Sequence, residues 1–368
     1  MTPRVAILGT RGYPSFYGGF ETLVRHLAPH LADAGWGVTV YGRHGAVQDH
    51  GGDPRVRSVV TAGLETRSLS ALSYGLSGAV HSAVDKPDVA LVMNVANGFW
   101  LPLLRARGIP TIVNVDGVEW ERDKWGRLAK ATFRAGARMT AAHADEIVVD
   151  AHEMNTYWTT TFDRPGTYIP YGGQECARLP VPKGLVSGQY ILVVARFVPE
   201  NSINEFLDAV ETLSLRWKVA IVGNEGYGGQ IDDRVESMER NNSAITWYRH
   251  ISDDDTLFAL WQHAGVYFHG HSVGGTNPAL VQAMACGSAV VARDTSFNRE
   301  VLADAGIYCE PTARSIAHAL AAVMDDPARQ RTLRTAALER ARVGFTWEAV
   351  CTAYEKMLTG RLKTVEVP

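Results

Sequence analysis

The sequence predicts an α/β protein of two doubly wound, Rossmann-like domains in tandem, facing each other across a cleft. Short apolar runs alternate with longer amphipathic segments along nearly all 368 residues, the pattern of parallel strands covered by helices. The pattern restarts after a Gly- and Pro-rich stretch at 171–189. The length is also about twice the common domain size of roughly 100–150 residues.

Val5–Gly9 reads as a first strand apolar on both faces, as a central parallel strand is. Phe20, Leu23, Val24, Leu27 and Leu31 recur at helical spacing and stop at Gly35, a residue suited to a helix C-terminus. Val38–Tyr41, Val56–Val60, Val89–Met93, Thr111–Val115 and Ile147–Val149 read as the following strands. In the second half, Tyr190–Ala195 is again a buried first strand, followed by the helical stripe Ile203, Phe206, Leu207, Val210 and Leu213. Val219–Val222, Ile245–Tyr248, Val266–Phe268, Ala289–Ala292 and Ile307–Cys309 continue that sheet, and three helical segments begin near 313, 327 and 347. The expected division is a first domain over 1–172, a linker over 173–189, a second domain over 190–345 and a terminal helix over 346–368.

Composition excludes several classes. Hydrophobic residues at 46% and charged residues at 20% argue against a disordered chain, a disulfide scaffold or a fibrous repeat. A formal charge of 36 minus 39, or −3, gives no reason to expect nucleic acid as a partner. Cys176, Cys286, Cys309 and Cys351 show no metal-type spacing and read as reduced thiols, hence a cytoplasmic location. Val5–Leu8 is too short for a signal-peptide core, and no run approaches the ~20 apolar residues of a membrane span. Any membrane contact is expected to be peripheral, at the inner face.

Ligands of doubly wound sheets sit beyond the carboxyl ends of the strands, so the loops there carry the functional reading. The first runs from Gly9 to Gly18-Gly19, longer than the usual 2–6 residues, and lacks the dinucleotide fingerprint. The second strand ends Tyr41-Gly42-Arg43 with no acidic ribose partner, which argues against an NAD(P) dehydrogenase. Gly18 and Gly19 read either as a turn or as a place where an anion or sugar approaches backbone N–H groups. After the fifth strand, Asp116 and Glu119 stand with Trp120 and Trp125. They read as sugar-binding groups or as a charged helix start over packed tryptophans.

Arg196 follows the first strand of the second half, where a guanidinium holds a diphosphate or pairs with Glu200. Gly223 opens another Gly-rich turn with polar neighbours. The strongest signal is His269–Gly287. Thr276 or Asn277 is the expected N-cap, Pro278 suits the first turn, and the N–H groups of Gly274, Gly275 and Thr276 suit a phosphate. Gln282 lies later on the same helix, within expected reach of a ribose hydroxyl. His269-x-His271 has no evident third ligand, so no metal is expected, and Asp253-Asp254-Asp255 reads as a helix start.

These loops, with Gly18-Gly19 before the first helix and Ala283-Met284-Ala285-Cys286-Gly287 closing the second-half helix, resemble the GT-B fold of nucleotide-sugar glycosyltransferases. More narrowly, GTRGYPSFYGGFET, DGVEWERDKWG, ARFVPEN and HGHSVGGTNPALVQAMACG together resemble bacterial rhamnosyltransferases of glycosyltransferase family 4, which build cell-surface polysaccharides. The likeness covers nearly the whole chain. It implies that 346–368 packs back toward the first domain.

The resemblance also implies retaining transfer without a metal or cofactor. The donor would be dTDP-L-rhamnose and the acceptor a hydroxyl of a glycan, a lipid-linked sugar or a small glycoside. Arg196, Asn201, His271, Ser272, Gly274, Gly275, Thr276, Asn277 and Gln282 would hold the donor, with Gly18, Gly19 and Gly223. Arg196 and the Gly274–Thr276 amides would stabilise the charge growing on the diphosphate. Related enzymes carry a histidine beside the donor sugar. The nearest match here is Asp116, which with Glu119 is expected to contact sugar or acceptor.

The broader family has glutamates at the positions of Gly274 and Gln282 and a lysine at that of Asn201. Glycine at the first is usual for the rhamnosyl type, and glutamine at the second is not. Two other readings stay open: a relative using another donor such as UDP-N-acetylglucosamine, either transferase or epimerase, and a non-catalytic nucleotide-sugar-binding protein.

Overall fold

The structure, a computed structural model, describes residues 2–15, 18–48, 51–64, 70–122, 125–226 and 228–362. Phe16, Tyr17, Asp123 and Lys124 of the quoted motifs lie outside them. The chain divides into two compact units, Met1–Pro170 with Trp347–Pro368, and Tyr171–Thr346.

The first unit is built on β1 (Arg4–Leu8), β2 (Gly37–Arg43), β3 (Arg57–Thr61), β4 (Val89–Met93), β5 (Thr111–Asn114), β6 (Glu146–Val149) and β7 (Thr167–Tyr168). They form a parallel sheet in the order β3-β2-β1-β4-β5-β6-β7. Val5 of β1 registers with Val38 on one side and Val89 on the other. Ile7 is fully buried, as expected of a central strand covered on both faces. The two-residue β7 is too short to show any period in the sequence.

Helices α1 (Gly19–Asp33), α2 (Ser70–Asp85), α3 (Leu101–Ala106), α4 (Arg127–His143) and α5 (His152–Phe162) accompany this sheet. α1 buries Leu23, Val24, Leu27 and Leu31, and Gly35 just past its end takes φ 84°, where a Cβ would be strained.

The second unit repeats the scheme with β8 (Tyr190–Val194), β9 (Lys218–Val222), β10 (Ile245–Arg249), β11 (Val266–His269), β12 (Val290–Arg293) and β13 (Gly306–Cys309), in the order β10-β9-β8-β11-β12-β13. Its helices are α6 (Ile203–Leu213), α7 (Gln230–Asn241), α8 (Asp254–His263), α9 (Pro278–Ala285), α10 (Ser296–Leu302), α11 (Ala313–Met324) and α12 (Pro327–Gly344). Alternation along β8 feeds two cores. Ile191 and Val193 face a cluster with α6 and α11, whereas Tyr190 and Leu192 face one with α8, α9 and α12. Each fully buried aliphatic or aromatic side chain contributes about 1.5–3 kcal/mol, so both helical layers are held firmly.

The segment 173–189, expected as a linker, is strapped onto this unit. Leu179 N donates to Gln262 Oε1 at 2.8 Å and Gly188 N to the His263 carbonyl at 2.8 Å. Asp253 caps α8 through Thr256 N at 2.9 Å, which accounts for the acidic run there. The final helix, α13 (Trp347–Thr359), belongs to the first unit. Trp347 stacks on His26 of α1 at 4.2 Å, and His30 Nε2 meets Glu355 Oε2 at 2.8 Å. The four cysteines are free thiols, and burial pushes those of Cys286, Cys309 and Cys351 up to about 12.

Candidate functional site

In the second unit the strand order reverses between β8 and β11, which run side by side with Phe268 opposite Val193. The loops after these two strands therefore meet at a switch point, where doubly wound sheets bind ligands. They are laced together. Asn201 Nδ2 donates to the Arg196 carbonyl at 2.8 Å, and His271 Nδ1 lies 2.6 Å from Asn201 Oδ1. An amide oxygen only accepts, so the His271 proton sits on Nδ1. Ser272 donates through N and Oγ to the Glu200 carbonyl at 3.0 and 2.9 Å, and Ser202 Oγ to the Gly270 carbonyl at 3.0 Å.

Arg196, Asn201, His271 and Ser272 are thus brought together as expected. Arg196 is exposed. Among the described residues its guanidinium has no ion pair or hydrogen bond, so the alternative pairing with Glu200 is not formed.

Asn277 is the N-cap of α9, its Oδ1 accepting from Ala279 N at 2.9 Å, with Pro278 in the first turn. Gly274, at φ 97°, and Gly275 and Thr276 precede the cap. Among the described residues the amides of Gly274 and Gly275 donate to no acceptor in the fold. Two free N–H groups before a helix N-terminus, and an unpaired guanidinium on the neighbouring loop, are donors of the kind a phosphate accepts from.

Two expected ligand contacts have other work. Gln282 Oε1 accepts from Gln174 N at 2.9 Å while Nε2 donates to the Gln174 carbonyl at 2.8 Å. The side chain clamps the strap to α9 and does not stand free for a ribose or sugar hydroxyl. Gly223, at φ 128°, would place a Cβ only 1.8 Å from the Ala195 carbonyl oxygen. The close passage of the chain past β8 explains that glycine without a ligand.

In the first unit the order reverses between β1 and β4. Gly18 precedes α1 without any side-chain cap, and Gly19 begins it. Glu21, buried in the first turn, accepts from Arg11 N at 2.9 Å. That carboxylate fills a backbone donor of the loop and sets a negative charge where an anion was expected, so the anion reading of Gly18-Gly19 loses its basis.

After β5, Asn114 is tied to Tyr354 of α13 at 2.6 Å and accepts from Asp116 N at 3.1 Å. Asp116 stays partly exposed at φ 56°, a left-handed backbone costing a non-glycine residue about 1–2 kcal/mol. Such strain is concentrated at functional positions.

Glu119 differs from expectation. Its side chain is 7% exposed, Oε1 lies 2.7 Å from Arg122 Nε, and Oε2 accepts from Trp125 Nε1 at 2.8 Å. Both oxygens are engaged inside the unit, so Glu119 holds the loop's shape and has no lone oxygen for sugar or acceptor. Trp120 is also buried, its Nε1 donating to Tyr157 Oη at 3.2 Å, which leaves it no open face for a sugar ring.

Two groups that the sequence reading gave other roles are buried with unpartnered atoms. Glu200 is 8% exposed, and both carboxylate oxygens are buried without a partner. Beside Arg196 in the sequence, it looked like a surface counter-ion. His269 accepts or donates at Nδ1 with Tyr267 Oη at 3.0 Å, and its buried Nε2 has no partner. Burial first, then the charge of His271, holds His269 well below its ordinary value and keeps it neutral. Among the described residues no three His, Cys, Asp or Glu side chains are placed to hold a metal ion.

Residues 18–172 match the family model described as Glycosyl transferase 4-like domain, and 183–340 that described as Glycosyl transferases group 1. The O-antigen chain mannosyltransferase B of Escherichia coli is 26% identical over 196 residues, 52% of this chain. The match covers 51% of that protein, so the chain spans about half the length of the curated relative.

Among solved structures, the sucrose-phosphate synthase of Thermosynechococcus elongatus aligns with TM-score 0.83 at 19% identity, over 97% of this chain and 98% of that one. HepE of Anabaena, in complex with UDP-glucose, aligns with TM-score 0.74 at 13% identity, over 97% and 99%. WaaG, a glycosyltransferase of lipopolysaccharide biosynthesis, gives 0.76 at 14%, over 97% and 100%. At such identities the likeness establishes the fold. The chain thus belongs with the GT-B glycosyltransferases, a glycosyl transferase 4-like domain followed by a glycosyl transferases group 1 domain.

Proposed function

We propose that the protein is a retaining, metal-independent glycosyltransferase that moves a sugar from a nucleoside diphosphate donor to a hydroxyl of a glycan, lipid-linked sugar or small glycoside. One observation carries this reading: the unpaired Arg196 guanidinium and the free amides of Gly274 and Gly275 lie at the β8/β11 switch point. As the anomeric bond breaks, negative charge grows on the diphosphate, and these fixed donors stabilise it without reorganisation. Asn201, where the broader family has lysine, adds no charge but holds the His271 ring in place. The acceptor hydroxyl attacks from the face the diphosphate leaves, and a diphosphate oxygen takes its proton. Asp116, partly exposed after β5 at its strained position, is the carboxylate we assign to contact sugar or acceptor.

For the donor we propose dTDP-L-rhamnose, supported by the loop His271-Ser272-Val273-Gly274-Gly275-Thr276-Asn277. Two relatives involve other sugars: one is a mannosyltransferase and HepE is in complex with UDP-glucose. We place the protein on the cytoplasmic side, with peripheral membrane contact only. Among the described residues no helix is long and apolar enough to cross a membrane.

The test is thermal unfolding against dTDP-, UDP- and GDP-sugars, then turnover with the donor that binds. A ligand at a hundred times its dissociation constant stabilises by about 2.7 kcal/mol. A shift with UDP or GDP and none with dTDP or dTDP-rhamnose refutes the donor. Binding without transfer or slow hydrolysis refutes catalysis and leaves a binding protein. Arg196→Ala is expected to weaken nucleotide binding by about 10- to 100-fold through loss of charge-assisted bonds. A change below about twofold by titration calorimetry removes Arg196 from the site.

A further inference from the structure

A separate cavity of about 580 Å³ lies in the second unit, lined by none of the candidate donor residues. Its volume falls within the roughly 300–1,000 Å³ common for small-molecule sites. The 175–188 strap, the C-terminal ends of α8 and α9 and the first turns of α12 form its walls. Arg178, Arg331 and Arg334 line it, and Glu175 is the acid among the described lining residues. That acid is already engaged, since Arg342 Nε and Nη2 hold its carboxylate at 2.9 and 2.5 Å.

Arg334 donates to the neutral carbonyl oxygens of Ala264, at 2.8 Å, and Gln262. Among the described residues the side chains of Arg178 and Arg331 have no hydrogen bond or ion pair. Burial first, and more weakly the charge of Arg178, push Arg334 down from its ordinary pKa, so like charges share the cavity. Asp255, outside the lining, acts on the lining Cys176. Three arginines lining one concavity, two of them with unengaged guanidinium groups, suit a phosphate group, which accepts paired charge-assisted bonds.

We propose that this cavity binds a phosphate-bearing small molecule, its phosphate held by Arg178, Arg331 and Arg334. Burial pushes up the thiols of both lining cysteines, that of Cys286 to about 12, which disfavours the reactive thiolate. An occupant would touch the C-terminal end of α9, whose N-terminal end carries the proposed nucleotide site.

The probe is inorganic phosphate against potassium chloride at matched ionic strength, read by hydrogen exchange in 175–188 and 327–338. Both target arginines are exposed, so Arg178→Ala/Arg331→Ala keeps the fold. Phosphate is expected to slow exchange in these segments in the wild type and in Arg196→Ala. The double variant should need at least about tenfold more phosphate for equal protection. No protection beyond the chloride control overturns the proposal, as does protection unchanged in the double variant. Protection confined to the loops at 196–201 and 270–276 and lost in Arg196→Ala also overturns it, placing phosphate at the nucleotide site alone.

Discussion

Glu119→Gln separates a structural carboxylate from a chemical one. Glu119 and Arg122 are 7% and 10% exposed and 2.7 Å apart, so removing the negative charge leaves a buried guanidinium uncompensated. Breaking such a pair from one side costs about 3–5 kcal/mol. Gln keeps an oxygen for the Trp125 indole, now 2.8 Å from Oε2, so the loss should fall near the low end, about 3 kcal/mol. With a urea slope of about 2–3 kcal/mol per molar, the first unit's midpoint drops by about 1 M or more. Fluorescence of Trp120 and Trp125 follows that transition.

The companion variant Glu119→Gln/Arg122→Leu removes both charges while keeping an oxygen for the Trp125 indole and should return to within about 1 kcal/mol of the wild type. An unchanged midpoint in Glu119→Gln with loss of turnover would refute the structural assignment and return the carboxylate to the chemistry.

Other outcomes follow from the second unit. Gln282→Glu deprives the Gln174 carbonyl of its donor, so the second unit should lose about 1–2 kcal/mol in urea while nucleotide affinity stays unchanged. Weakened nucleotide binding at wild-type stability would mean the side chain serves the ligand. Burial holds His269 below its ordinary 6.5, so the unfolded chain takes the proton first as pH falls. Its contribution is full above pH 6.5 and is lost below it, by up to about 1.4 kcal/mol per pH unit. His269→Gln should therefore show a shallower stability loss between pH 7.5 and 5.5, and parallel urea curves at the two pH values would disprove the buried neutral ring.

The strands were the most legible feature. β1 and β8 read as continuous apolar runs because helices cover both faces of a central parallel strand, and the stripe of α6 showed its buried side directly. The candidate loops could be picked out because they follow those strands, where such sheets leave room for a ligand. The acidic run at Asp253 was equally readable, since a helix N-cap is a local device.

Polar partners were a different matter. Asp116 and Glu119 stand three residues apart and look alike in the sequence, yet one stays partly exposed and the other is locked between Arg122 and Trp125. Gln282 read as a ligand group because its partner, Gln174, lies 108 residues away on a stretch that looked like a free linker. Glu200 stood as the alternative surface partner of Arg196, yet the fold buries it and leaves the guanidinium exposed. Periodicity along the chain reports which faces are apolar, and so specifies strands, helices, their order and the loops at their ends. Which polar group each carboxylate or amide meets depends on segments distant in sequence, because burial without a partner is costly and only folding decides what is near.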